Sequence, residues 1–474
     1  MCWFAGITSR NEQVLQKMWA TLAPRAVDNA RFYYEDFLSF YHAHLKISDL
    51  DKDTSQPYLY KDMVVGLVGE IYNKEFLLSK VGIMKDSDNF TECEVIARAY
   101  EVLGEKFINF VNGEFSIFIF DRRENKYLFF RDRWGTNNLY YTLQEGVLYF
   151  ASEIKSLIFW EPILNKGNFI EHMTFQFGIS PSTIIEGIST LRPGTYIIFQ
   201  DSQIRTEIFD EYVSQYPEMS LIDTLEQAVK RRIPYFQDEV FVSLSWGPDS
   251  NLILFFLKKY YTGKIIAYSF LTKKNATEIE IAKKNAKFHG IIHLIIDMDN
   301  RNIPNEVYEH EWLVYLPNLW KILKEQYPEY AHVRVEFWGD GKEELINSNT
   351  HFPYSEIIGR YKYFHSRGMI EYFQIDQEFL NHEMFDYNLQ MIDKLTLRNG
   401  IERRLPFTDY ELLRFKNYKT YRKEVEVFLN SQWLSLVEGE YGYNLWINFS
   451  YAYDTSLLKH SKILLEKFHD NIIF

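Results

Sequence analysis

The chain has 474 residues and a formal net charge of −13, with 46% hydrophobic and 25% charged residues; this excludes a disordered chain and argues against a general binder of nucleic acid or anionic membrane. Its two cysteines, Cys2 and Cys93, imply no disulfide framework, and no apolar stretch is long enough for a membrane span. Aromatic residues reach 17% while glycine (22) and proline (13) are scarce, so the chain is rich in rigid bulk and poor in hinges.

In chain order, runs of β-branched and aromatic residues predict strands over 63–68, 115–121, 127–131, 139–142 and 147–151. Apolar spacing predicts a helix over 94–103. A turn at 191–194 leads into a predicted strand over 195–199. The polar stretch near 201–218 is the best boundary, dividing the chain into units 1–205 and 206–474. The rhythm then changes to strand 240–244, helix 251–260, strand 264–270, helix 278–288 and strand 291–296, which implies parallel βαβ units. The last stretch, 410–474, reads as helical. The opening residues lack a basic leader and a long apolar run, so the expected address is the cytosol.

Met1-Cys2 is a processing signal as well as a start. With Met1 removed, the α-amine of Cys2, with a reference pKa near ~8, can act as base for its own thiol, near ~8.5. Further motifs follow in order: Gly69-Glu70-Ile71-Tyr72-Asn73, Asn112-Gly113, Arg131-Asp132-Arg133-Trp134-Gly135, Leu139-Tyr140-Tyr141 and Phe150-Ala151-Ser152-Glu153-Ile154-Lys155. Together they resemble the glutaminase domain of class II glutamine amidotransferases of the asparagine synthetase type. That resemblance implies an N-terminal-nucleophile (Ntn) hydrolase-like αββα sandwich with Cys2 as nucleophile. It also implies Gly69 as a backbone N–H donor to the oxyanion, with Glu70 and Glu92 around the substrate. The family's usual Cys-Gly is Cys2-Trp3 here, its carboxylate-binding arginine aligns with His44, and its Asn-Gly-Glu reads Val68-Gly69-Glu70. A histidine offers no bidentate fork, and a lost oxyanion donor typically costs about 10²–10³ in rate.

The second unit carries Ser245-Trp246-Gly247-Pro248-Asp249-Ser250 between a strand and a helix. Such a turn points backbone N–H groups at an anion, and Pro248 suits a first helical turn. It resembles the Ser-Gly-Gly-x-Asp-Ser pyrophosphate loop of ATP pyrophosphatases, with Trp246 in place of a glycine. The resemblance implies a parallel-sheet α/β fold binding ATP through Ser245, Gly247, Asp249, Ser250 and Ser269. Val335–Leu345 resembles a motif in which Asp340 takes the catalytic position and Glu343, with Asp249, the magnesium position. Gly400-Ile401-Glu402-Arg403-Arg404-Leu405-Pro406-Phe407-Thr408-Asp409 resembles a late motif that makes Arg404 a substrate-binding candidate. After Asp409 the resemblance fades, and no lysine lies between Lys423 and Lys459, where such synthetases usually place one.

The resemblance as a whole is to glutamine-hydrolysing asparagine synthetase. It implies ATP and Mg²⁺, a carboxylate activated as acyl-AMP, and ammonia from glutamine as the nitrogen source. The expected partners are glutamine or ammonia and a small carboxylate or peptide, with no nucleic acid or membrane and a homodimer as one assembly. Two alternatives stay open: an amide or macrolactam former using a substrate amine, resembling β-lactam synthetases and lasso-peptide cyclases, and a non-catalytic scaffold. Retained Cys2 favours glutamine use; His44, Val68 and Glu92 favour a substrate amine; Trp246 and the missing lysine favour the scaffold.

Overall fold

The computed structural model describes residues 2–22, 28–47, 55–84, 89–175, 178–234, 237–245, 247–271, 276–297, 319–339, 396, 399–415, 423–425, 427–429 and 431. The first part contains strands β1 (Cys2–Ile7), β2 (Asn29–Glu35), β3 (Leu38–His44), β4 (Tyr58–Tyr60), β5 (Met63–Ile71), β6 (Gly113–Asp121), β7 (Lys126–Arg131), β8 (Tyr140–Gln144), β9 (Val147–Ala151), β10 (Ser189–Thr190), β11 (Thr195–Gln200) and β12 (Gln203–Ile208). Helices α1 (Glu12–Leu22), α2 (Lys74–Lys80), α3 (Glu92–Leu103) and α4 (Lys166–Phe175) accompany them. Among the described residues these strands form two six-stranded sheets, ordered β10-β8-β9-β1-β3-β2 and β12-β11-β7-β6-β5-β4.

The alternation of β5 and β6 shows how the layers form. Val64, Val68, Phe118 and Phe120 join the core that holds Phe4, Phe40 and Phe150 of the first sheet. Val65, Leu67, Ile71, Ile117 and Ile119 join the core under α2 and α3, with Leu77, Ile96 and Tyr100. Each strand therefore serves two cores, as period-two side chains require. With α1 burying Leu15, Met18 and Leu22 against the first sheet, the result is the expected αββα sandwich.

The chain's aromatic excess fills the space between the sheets. Phe40 and Phe118 stack at 5.2 Å, and Phe118 and Phe150 at 5.0 Å. The few glycines are their sockets: a Cβ on Gly6 would sit 2.2 Å from Phe150 Cζ, and one on Gly66 2.6 Å from Phe40 Cζ.

The second part contains α5 (Leu221–Lys230), β13 (Glu239–Ser243), α6 (Pro248–Tyr260), β14 (Lys264–Leu271), α7 (Ala276–Phe288), β15 (Ile292–Asp297), α8 (Leu319–Gln326), β16 (Val335–Phe337) and β17 (Glu402–Arg404). Its strands run parallel in the order β15-β14-β13-β16-β17. The order reverses between β13 and β16, and such a switch point is where open parallel sheets bind ligands. The predicted βαβ alternation lies on β13 to β15 with shifts of one to three residues at the ends. Of the tail read as helical, Tyr410–Arg414 is a short 3₁₀ turn, and most of the rest lies outside the described residues. Among the described residues no helix is long and apolar enough to cross a membrane.

Candidate active sites and the junction between them

Cys2 opens β1 opposite His44 of β3, on the strand face shared with Phe4; its side chain lies outside the described residues. Gly69 has φ +109°, and a Cβ there would fall 1.8 Å from the Glu114 carbonyl oxygen, so only glycine fits. Thr91 caps α3 by accepting the Glu94 N–H at 3.2 Å, which sets Glu92 in the first turn. Glu92 Oε1 then accepts the Ile71 N–H at 2.6 Å and ties α3 to the end of β5. Burial pushes the Glu92 carboxyl well up, and neighbouring Glu70 adds to the effect; burial likewise raises Glu70.

His44 departs most from what an arginine would do. Burial pulls it down to about 4, and Lys46 acts in the same direction. Its neighbour His42, with ring centroids 5.7 Å apart, is also held well below the usual imidazole range by burial and by His44. At neutral pH position 44 is an uncharged ring with no charge to hold a carboxylate.

Arg404 reaches this end from the parallel sheet. It pairs with Glu402, lies 3.2 Å from Glu70 Oε1, and donates to the Tyr72 hydroxyl at 3.3 Å. Glu70 and Glu92 of the first part and Arg404 of the second are therefore brought together.

Next to it sits a buried junction that the motifs alone do not reveal. Arg232, just beyond α5, donates to Glu114 Oε1 at 3.0 Å and to Asp409 Oδ2 at 2.7 Å. Asn112 donates to Asp409 Oδ1 at 2.9 Å, while Leu405 N–H and the Thr408 hydroxyl donate to Glu114 Oε1 at 3.3 Å each. Burial raises the Asp409 carboxyl, but Arg231 and Arg232 outweigh it and hold the carboxyl below its usual range. Asn112 and Asp409 belong to quoted motifs; Arg232 and Glu114 carried no signal of their own.

The Arg131-Asp132 motif proves to be a scaffold. Asp132, pushed up to about 6 by burial, accepts from the Trp134 N–H at 2.9 Å and from the Thr136 hydroxyl at 2.6 Å. Arg131 donates to the carbonyls of Gly135, Asn137 and Leu191 at 2.7–3.0 Å.

The loop after β13 closes on itself. Ser245 Oγ and Ser250 Oγ lie 2.9 Å apart, Ser245 N–H donates to Ser250 Oγ at 3.1 Å, and Gly247 N–H donates to Ser245 Oγ at 3.1 Å. Asn251, which sequence reasoning missed, donates to the Gly247 carbonyl at 2.6 Å and is held by Asn285 at 2.9 Å. Gly247 caps α6, with Pro248 next at the first helical position. Gly339, just past β16, lies alongside: a Cβ there would be 3.7 Å from Asp249 Cβ and 3.8 Å from Ser250 N. A helix N-terminus with glycines on two sides has room for a phosphate group. Ser269 donates to the Leu244 carbonyl at 2.5 Å and meets His293 Nε2 at 2.7 Å, beside the loop's entry. Asp340, Glu343 and Trp246 lie outside the described residues, and among those described no group of three His, Cys, Asp or Glu is placed to hold a metal. Trp338 stacks edge-on to Trp320 at 5.7 Å and takes Arg403 over its ring, so its bulk is used in packing.

Two family models match the chain in tandem: a glutamine amidotransferase domain over residues 1–212 and asparagine synthase over residues 220–334. The Bacillus subtilis protein named Asparagine synthetase [glutamine-hydrolyzing] 1 is 26% identical over 380 residues, covering 73% of this chain and 58% of the relative. The chain thus carries a match to a glutamine amidotransferase domain followed by a match to asparagine synthase, and is similar at modest identity to an asparagine synthetase. Another relative is Amidase chry2 of Gibberella zeae, 24% identical over 378 residues (70% of this chain, 55% of the relative). The chain thus spans under two thirds of the length of these two curated relatives. Among solved structures it is similar to a Bacillus subtilis glutamine phosphoribosylpyrophosphate amidotransferase, with TM-score 0.32, 13% identity, and coverage of 76% of this chain and 79% of that one.

Proposed function

We propose that this protein is an ATP-dependent carbon–nitrogen ligase that activates a carboxylate as an acyl-AMP and converts it to an amide with ammonia released from glutamine. The observation that carries the reading is Arg404 of β17 ion-paired with Glu70 of β5, which joins the two site-bearing parts. Cys2 acts as nucleophile, Gly69 supplies an N–H to the oxyanion, and Glu70 and Glu92 face the substrate amine. Ser245, Gly247, Asp249, Ser250 and Ser269 frame the nucleotide, with Asp249 and Glu343 holding Mg²⁺ and Asp340 at the amide-forming step. The working units are residues 1–205 and 206–474, with β12 running on to Ile208. A cytosolic address and a homodimer complete the proposal.

The neutral His44 favours a second reading, in which the amine already sits on the substrate and glutamine is poorly held. One experiment separates the two. The protein is incubated with Mg-ATP, a carboxylate panel, and either glutamine or ammonia, and AMP and pyrophosphate are scored. Turnover with glutamine supports the first reading, and turnover only with amine-bearing carboxylates supports the second. No nucleotide consumption under any condition rejects both.

A further inference from the structure

Attack of a thiolate on a carboxamide forms a carbon–sulfur bond and moves the carbonyl π electrons onto oxygen. The oxyanion then collapses: the carbon–nitrogen bond breaks, nitrogen takes a proton and leaves as ammonia, and a thioester remains. Water attacks the thioester, the carbon–sulfur bond breaks, and the thiol regains its proton, so glutamine and water give glutamate and ammonia. The oxyanion needs N–H donors fixed in advance. On β5 the side chains flanking Gly69 are apolar Val68 and the Arg404-paired carboxylate of Glu70, and neither donates.

We infer that the side-chain amide of Asn137 is the second oxyanion donor of the glutaminase reaction, an inference that rests on the amidotransferase reading above. Its Nδ2 lies 2.8 Å from where a Cβ of Gly69 would stand, so the amide presses against the one residue whose N–H the reaction uses. The Asn137 backbone is fixed from three sides: its carbonyl accepts from Ser116 Oγ and from Arg131 Nε at 3.0 Å each, and its N–H donates to Asp132 Oδ2 at 3.4 Å. The side chain is fully buried, yet its Nδ2 has only a 3.4 Å contact with the Thr136 hydroxyl, and its Oδ1 has no hydrogen-bond partner. The Nδ2 carries two N–H bonds and makes one long contact, so a donor is left over that a ligand oxygen would take up.

The topology sets it at the correct end of the sandwich. Ser116, which holds Asn137, is on the β6 face that Phe118 turns toward Phe40 and Phe150, between the sheets. Tyr140 pairs with Ala151, which pairs with Ala5, so the chain enters β8 from the end of the first sheet where Cys2 begins β1. The donor, on the loop between β7 and β8, thus approaches Gly69 of β5 from the end of the first sheet where β1 begins.

The test measures glutamate release from glutamine by the full chain and by Asn137→Ala, Asn137→Asp and the double variant Val68→Asn/Asn137→Ala, with thermal unfolding recorded for each. Asn137→Asp keeps the volume but has no N–H. Expected is a loss of kcat of about 10²–10³ in both single variants with KM little changed, and recovery when Val68→Asn returns an amide to β5. A kcat unchanged in the folded Asn137→Asp variant overturns the inference. So does a loss that Val68→Asn does not repair, which marks a packing role. If the wild-type chain releases no glutamate, the amidotransferase reading itself fails and this inference fails with it.

Discussion

Arg232→Met is the sharpest probe of the junction. The substitution keeps the aliphatic stem and removes the guanidinium, and with it the hydrogen bonds to Glu114, Asp409 and the Ala228 carbonyl. Glu114 and Asp409 have side chains 2% and 0% exposed, so neither can turn to water. Removing one partner of a buried pair costs about 3–5 kcal/mol, mostly through the charge left behind. Asp409 keeps Asn112 at 2.9 Å and Arg231 at 3.4 Å, and Glu114 keeps Thr408, which places the loss toward the lower end, about 3 kcal/mol. Urea unfolding followed by tryptophan fluorescence measures it, and the triple variant Arg232→Met/Glu114→Gln/Asp409→Asn should recover part of the loss. A cost under about 1 kcal/mol, the scale of an exposed pair, would refute the account.

Gly69→Ala should cost at least about 2 kcal/mol, from overpacking on the Glu114 carbonyl and from positive φ, and a melting temperature equal to wild type would contradict that. Burial pulls His44, His289 and His293 down to about 4, so the unfolded chain binds more protons below about 6.5. Stability should therefore be complete above that pH and fall as pH drops toward 4, and a flat urea midpoint between pH 7.5 and 5 would sink the idea. Asn251→Ala frees the Gly247 carbonyl and should weaken ATP binding about tenfold in titration calorimetry; unchanged affinity would show the loop does not need that brace.

Much of this was legible because local chemistry repeats along the chain. The switch from period-two aromatic runs to strand–helix alternation placed β13 to β15, and the order of motifs pointed to both candidate sites. What escaped was long-range. The Arg232–Asp409 pair joins residues 177 apart in sequence, and no local pattern marks such partners. Asn251 looked like an ordinary helix residue, and only the fold shows it bracing the loop. Asn137 lies outside the motifs that the sequence offers, and only the fold sets its amide against Gly69. The bulk of Trp338 is spent on Trp320, a contact no local pattern announces.

The junction also sets a timetable for synthesis. Asn112 bonds to a carboxylate 297 residues further along the chain, and Glu114 to a hydroxyl 294 residues further. At roughly 5–20 residues per second, the nascent sandwich waits about 15–60 s for those partners to leave the ribosome. During that interval its polar junction face is wet and its last contacts are unmade. The first part of the chain is thus translated early but finished late, and a ribosome stalled before Asp409 would present a sandwich with an open seam.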